Sequence, residues 1–225
     1  MDRRERVYDP EETLRAALDA FASELFCGMP GIVQKVKDNG MTVDVQPARK
    51  ARIRNWDGTY QWVKLPVCQD CPVVIVGGGG VSFTAPIQKG DECFLAIADA
   101  CIDQWWQLGG VQVPLDIRAH DLSDGFAIVG LRSKPRFFNA SPTTARITTD
   151  DGTCYMELDP AAKKVNIVAP GGFTVNGMTV DSSGNVISPA TITGKTQVVA
   201  GTGGTAVHLT THGHPALNTA PTAGS

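Results

Sequence analysis

Phe173-Thr174-Val175-Asn176-Gly177-Met178-Thr179-Val180 reads as strand, turn, strand, and this pattern runs through the whole C-terminal part of the chain. Phe173 and Val175 alternate with polar residues, and Asn176-Gly177 carries turn chemistry. Further turn signals stand at Asp150-Asp151-Gly152, Asp159-Pro160, Pro170-Gly171-Gly172, Ser182-Ser183-Gly184-Asn185, Thr193-Gly194 and Gly201 to Gly204. Between them lie strand-length pieces such as Cys154/Met156/Leu158 and Val165/Ile167. From Phe173 to Thr211 the only charged side chains are Asp181 and Lys195. Thr, Val, Ile, Gly, Ser and Asn make up the rest, a composition for short strands and turns.

Apolar residues in this region are small to medium and thinly spread. A segment of about eighty residues of this kind struggles to close a core by itself. Several copies sharing one core about a rotation axis remove the difficulty. The expectation is an intertwined β-helix in a homotrimer over residues 141–207, followed by an apex and tail over 208–225. A Gly/Thr-rich linker is the plain alternative, and it gains weight beyond Pro215.

The whole chain has 225 residues and a net charge of −3, with ordinary apolar content. Such a balance does not suggest a broad nucleic-acid-binding face. No run of about twenty apolar residues is present to span a bilayer. Met1-Asp2-Arg3-Arg4-Glu5-Arg6 leads into a charged segment and not an apolar signal core, so Sec-type export is not expected. Six dispersed cysteines suggest reduced, mostly buried thiols made in a cytoplasm.

At the N-terminus Asp9-Pro10-Glu11-Glu12 is a helix start, with Asp9 as cap and Pro10 in the first turn. Leu14, Ala17, Leu18, Phe21 and Leu25 then recur at helical spacing. The amphipathic helix this predicts, within 1–28, docks on its own domain or on a neighbouring protein. From Met29 the period changes to two. Ile32 to Lys37 and Met41 to Gln46 flank Asp38-Asn39-Gly40 as a hairpin, with Met41, Val43 and Val45 on one face. Further strands are predicted over 60–65, 72–76, 81–84, 92–98 and 104–108. Many short strands within about 110 residues indicate a small barrel or sandwich, and an OB-type barrel over 29–140 suits the size.

Candidate chemistry is sparse. Gly77 to Gly80 lacks the Lys-Ser/Thr of a phosphate loop and reads as a strand connection. Cys68-Gln69-Asp70-Cys71 is half a zinc site without its other half, so structural thiols are expected ahead of a metal or redox role. His120, Asp121, Ser123 and Asp124 cluster in sequence without a nucleophile elbow, as a polar turn before the last barrel strand. Glu157 and Asp159 alternate on a strand and read as a solvated face. No catalytic constellation emerges, and the chain is not expected to be an enzyme. His212-Gly213-His214 is the sharpest signal. In extended chain both imidazoles project to one side. One chain offers two ligands; three chains offer six, an octahedral nitrogen cage suited to iron, cobalt or nickel and closed to substrate. Two solvated histidines in a tail are the bland alternative. His208 could lie on the same side and is not assigned to the site.

Several spaced motifs resemble the N-terminal domain of central spike proteins in contractile phage tails. They are Val33-Gln34-Lys35-Val36 with Val43-Asp44-Val45-Gln46-Pro47-Ala48, then Pro72-Val73-Val74, Gly78-Gly79-Gly80, Phe83-Thr84 and Lys89-Gly90-Asp91-Glu92-Cys93. Ile102-Asp103-Gln104-Trp105-Trp106 and His120-Asp121-Leu122-Ser123-Asp124-Gly125-Phe126-Ala127 follow in order. Ala100-Cys101 and Val76-Gly77 depart from the family pattern. The resemblance implies an OB-fold collar, then a trimeric β-helix whose apex holds one buried iron ion on a His-x-His motif. His212 and His214 match that motif. It further implies a structural, cell-puncturing protein at the tip of a virion's tail baseplate. The N-terminal domain would contact tail tube, hub or other baseplate proteins; the tip would meet the host outer membrane; nucleic acid would not be a partner. An OB-type oligonucleotide- or sugar-binding module with a loose tail is the other reading, for which Trp56, Trp62, Trp105 and Trp106 are available.

Overall fold

The computed structural model describes residues 10–189, 199–200 and 207–208. The chain divides into two compact units, Met1–Phe137 and Phe138–Ser225.

The first unit opens with helix α1 (Pro10–Glu24), whose Leu14, Leu18 and Phe21 are all exposed. Strands β1 (Gly28–Lys37) and β2 (Thr42–Pro47) form the expected hairpin. Its turn carries Asp38 and Asn39 at positive φ (48° and 53°), which Asn and Asp tolerate best among non-glycines. Val33 faces Val45 and Val36 faces Val43, with a bulge at Gln34. Val43 and Val45 are fully buried, as their alternation predicts. Met41 departs from the prediction: it sits in the turn, half exposed, and Thr42 is buried in its place, donating to Asp38 Oδ2 at 2.6 Å.

The chain then makes a separate two-stranded ribbon, β3 (Lys50–Arg54) with β4 (Tyr60–Lys64). Strand β5 (Cys68–Pro72) returns to pair with β2. A tight hairpin follows, β6 (Val76–Gly78) with β7 (Val81–Phe83), closed by Gly79 and Gly80 at positive φ. Strand β8 (Glu92–Ile97), a short helix α2 (Asp103–Leu108) and β9 (Gly125–Val129) complete the unit. The main sheet has the order β5-β2-β1-β8-β9, all antiparallel. It is a curled, open half-barrel. Its two edges meet at one parallel bridge, Val73 to Ala127, with Val74 N–H donating to Ala127 O at 2.9 Å.

Two predictions for this unit fail. The segment 104–108 is helical, not strand: alternating Gln104, Trp106 and Leu108 suggested period two, but Gly109 (φ 66°) ends a helical turn with its N–H on Trp105 O at 2.7 Å. The strand predicted at 72–76 is displaced. Pairing to β2 ends at Pro72, which has no N–H to continue a ladder, and β6 begins only at Val76.

The core lies inside the curl. Val33, Val43, Val45, Cys93, Leu95 and Ala127 are wholly buried, with Met29, Cys68 and Cys71 beside them. Each buried Val or Leu contributes about 1.5–3 kcal/mol. Gly31 is required at its place because a Cβ there would run into the Val45 side chain.

The second unit is built of antiparallel meanders. Strands β10 (Ala145–Thr148), β11 (Tyr155–Asp159) and β12 (Lys164–Val168) form one sheet. A second contains β13 (Phe173–Val175), β14 (Met178–Val180) and β15 (Val186–Ile187). A final pair joins β16 (Val199–Ala200) to β17 (Val207–His208). The sequence turns at 150–152, 170–172, 176–177 and 182–185 fall between strands, and the turn at 159–160 begins on the last residue of β11.

Register divides the β10–β12 sheet into unlike faces. Ala145, Leu158 and Val165 form one cross-strand row and Ile147, Met156 and Ile167 the next, all on one side. The other side carries Arg146, Glu157 and Asn166. Glu157 was expected in a solvated face; it is instead buried, bonded to Thr144 Oγ1 (2.9 Å), Asn166 Nδ2 (2.9 Å) and the Arg146 guanidinium. Hydrogen bonds from Asn166, then Thr144 and Arg146, hold its carboxyl below the ordinary 4.5. A lowered folded-state pKa stabilises above the unfolded value and is lost as pH falls through the folded one. The thermal transition of the second unit should therefore drop as pH falls below about 4.5. Glu157→Gln should flatten that slope in melts followed by circular dichroism; an unchanged slope would remove Glu157 as its source.

Candidate functional site

His212 and His214 lie outside the described residues. Strand β17 reaches His208. The described residues offer three other places where the sequence suggested chemistry, and a fourth that it did not.

The Cys68-x-x-Cys71 pair sits on β5, opposite Val45 and Val43 of β2. Residues three apart on a regular strand face opposite ways. Here Gln69 and Asp70 together oppose Asp44, and Asp70 takes φ 54°. The bulge turns both thiols inward, where each is buried. Their shared hydrogen bond lowers Cys68 and, with burial, raises Cys71, while burial pushes Cys93 up to about 11. Buried in the hydrophobic core, these thiols serve as core residues. All six cysteines are free, with Cys27 and Cys154 exposed.

Gly77 and Gly78 lie in β6, and Gly79 and Gly80 make the turn into β7, so a strand and not a helix follows the glycines. His120 takes φ 52°; its Nδ1 lies 3.2 Å from Phe26 O, and its backbone N–H donates to Asp99 O at 3.3 Å. Asp121 caps the turn at Leu122–Asp124, accepting from Ser123 N at 2.9 Å and from Ser123 Oγ at 2.6 Å. These bonds lower its pKa. The cluster is thus a polar turn delivering the chain into β9: the Ser123 hydroxyl is held by Asp121, and His120 Nδ1 is turned to Phe26 O.

Sequence reading missed the fourth place. Asp124 is fully buried and accepts from Ile102 N (3.0 Å) and from Arg118 Nε (2.7 Å) and Nη2 (2.9 Å). The same Nη2 donates to Asp103 Oδ2 at 2.8 Å, and Cys101 Sγ lies 3.4 Å from that oxygen. Cys101, Asp103 and Asp124 bring one donor atom each within 4.8 Å of one another, a set that could hold a metal ion. Arg118 already satisfies both carboxylates, so a metal there would have to displace a two-pronged guanidinium. Bonds to Asp124 and Asp103 raise the Arg118 pKa, and the Arg118 bond lowers Asp103. The arrangement is a knot tying the start of α2 to Arg118 and to the turn that leads into β9. No sequence signal announced it, because an Arg-x5-Asp spacing has no local meaning.

Around this knot, Trp105 packs edge-on against Phe126 at 5.8 Å. Trp106 lines a cleft of about 310 Å³ shared with Asp38, Asp70 and Asp103. Trp56 and Trp62 are exposed on the β3–β4 ribbon. No described helix is long and apolar enough to cross a membrane.

Residues 29–130 match the family model described as phage protein Gp138 N-terminal domain. No curated protein matches the chain.

Arg118→Met would leave the Asp124 charge buried and unpaired. It should cost about 3 kcal/mol or more in urea unfolding, whereas Arg118→Met with Asp124→Leu should recover much of that loss. Equal losses in both variants would mean that the pair does not act as a unit.

Proposed function

We propose that the chain is a structural subunit of a phage tail baseplate, the homotrimeric central spike that pierces the host outer membrane on sheath contraction. The observation carrying this reading is the apolar face of the β10–β12 sheet. Ile147 and Val165 are 68% and 62% exposed, and Met156, Leu158 and Ile167 beside them are also open to water. Soluble monomers rarely leave such a continuous patch uncovered. Copies of the same chain around a three-fold axis would cover it, turning separate meanders into a shared β-helical needle.

Three further features support the reading. The family match places residues 29–130 beside a phage protein. The strand order β5-β2-β1-β8-β9, with a parallel bridge between its edges, is compatible with an OB-type collar. In the collar, Val111, Val113, Leu115 and Ile117 alternate along an exposed loop, a second apolar run suited to contact with other baseplate proteins. At the apex, His212 and His214 from three chains would supply six nitrogen ligands to one structural metal ion, iron by family resemblance. Such a cage needs no open position, in keeping with a non-catalytic role. A stiff, few-charged needle with paired edges concentrates force without fraying.

Native mass spectrometry of the full chain, before and after strong chelation, tests this. The expected mass is three chains plus one ion, with the ion lost from His212→Ala/His214→Ala. Met156→Lys/Ile167→Lys should leave the strand content unchanged by circular dichroism and abolish the trimer. A trimer without metal would remove the cage alone; a monomeric wild-type chain would end the spike reading.

A further inference from the structure

The first unit carries two surfaces of opposite charge. One is the outer face of the β3–β4 ribbon. Register sets Lys50 opposite Lys64, Arg52 opposite Trp62 and Arg54 opposite Tyr60. Directly opposed residues share a face, so these six project to one side. The reverse side leans on the core through Ala51. Like charges set opposite each other are destabilising. Among the described residues no carboxylate pairs with Lys50, Arg52, Arg54 or Lys64, although Arg52 lies 4.5 Å over the Tyr60 ring. Trp62 is exposed among them, and Trp56 stands fully exposed at the tip. Arginine beside Trp and Tyr is the composition of interface hot spots.

The other surface is the cleft of about 310 Å³ lined by Asp38, Asp70, Asp103 and Trp106. Its cations are oversubscribed. Lys37 is shared by Asp44 (2.6 Å) and Asp70 (2.8 Å), and Arg118 by Asp103, Asp116 and Asp124. Asp38 adds a further carboxylate, so negative charge is in excess there.

These surfaces lie at opposite ends of the β1–β2 hairpin. The ribbon is rooted where Gly31 faces Pro47 and Ala48 N–H donates to Pro30 O at 2.8 Å. The cleft opens where Lys37 faces Thr42. About 17 Å of strand separates the two ends. A contact between unlike surfaces at opposite ends can join copies head to tail, and such contacts close into a ring where the rotation between copies closes.

We propose that the β3–β4 ribbon of one copy seats in the acidic cleft of the next. The inference rests on the homotrimer reading above and assigns the collar contact within it. Arg52 and Arg54 present planar forks suited to the cleft carboxylates, and the ribbon aromatics supply the apolar contact beside Trp106.

The test is zero-length carbodiimide cross-linking of the full chain, which joins lysine amines to carboxylates only in direct contact. Peptide mapping of the covalent dimer and trimer bands should link Lys50 or Lys64 to Asp38, Asp70 or Asp103. Arg52→Glu/Arg54→Glu should abolish those links while the circular dichroism spectrum is retained. Native mass spectrometry separates the two readings. A trimer whose cross-links avoid the ribbon or the cleft would overturn this contact and leave the spike intact. A monomer would overturn both.

Discussion

An apolar sheet face cannot be left in water, and the second unit has no freedom to turn its face elsewhere. Glu157 is bonded to Thr144, Arg146 and Asn166 from both neighbouring strands. Those bonds hold the β10–β11–β12 register, and a slip by one residue would exchange the two faces completely. Ile147, Met156 and Ile167 are thereby committed to the opposite side. The first unit solves the same problem alone: its sheet curls until Val33, Val43, Val45 and Leu95 are enclosed. One unit buries its apolar face by curvature. The other presents it to water.

Legibility in the sequence followed the range of the interaction. The β1–β2 hairpin was readable because Asp38-Asn39-Gly40 and the Val43/Val45 alternation are local signals. The tail turns were readable for the same reason, since Gly152, Gly172, Asn176, Gly177 and Gly184 at positive φ need no distant partner. Helix α2 was misread because six residues are too few to separate period two from period 3.6. Burial of Glu157 was hidden because its partners are set by strand pairing. The inward turn of both Cys68 and Cys71 depends on a bulge that spacing cannot reveal. Arg118 passed unnoticed altogether, as its meaning lies in where Asp124 is buried. His212 and His214 rest on spacing and family resemblance alone.

Rotational symmetry would constrain the two proposed contacts differently. A two-fold axis pairs identical patches, so a self-complementary surface leads to dimers. A three-fold axis never sets a patch against itself except at the axis, and every contact away from it joins unlike surfaces. The described chain has features of both required kinds. The β10–β12 face is a single apolar patch, able to meet its own copies at an axis. The ribbon and the cleft are unlike, opposite in charge and set at opposite ends of one hairpin. Neither surface is self-complementary: two ribbons would set Lys50, Arg52 and Arg54 against their own kind, and two clefts would set carboxylate against carboxylate. Repulsion in both pairings, estimated at several kcal/mol for close like charges across an interface, disfavours any contact of like with like, whereas ribbon in cleft, the contact proposed above, satisfies both surfaces at once.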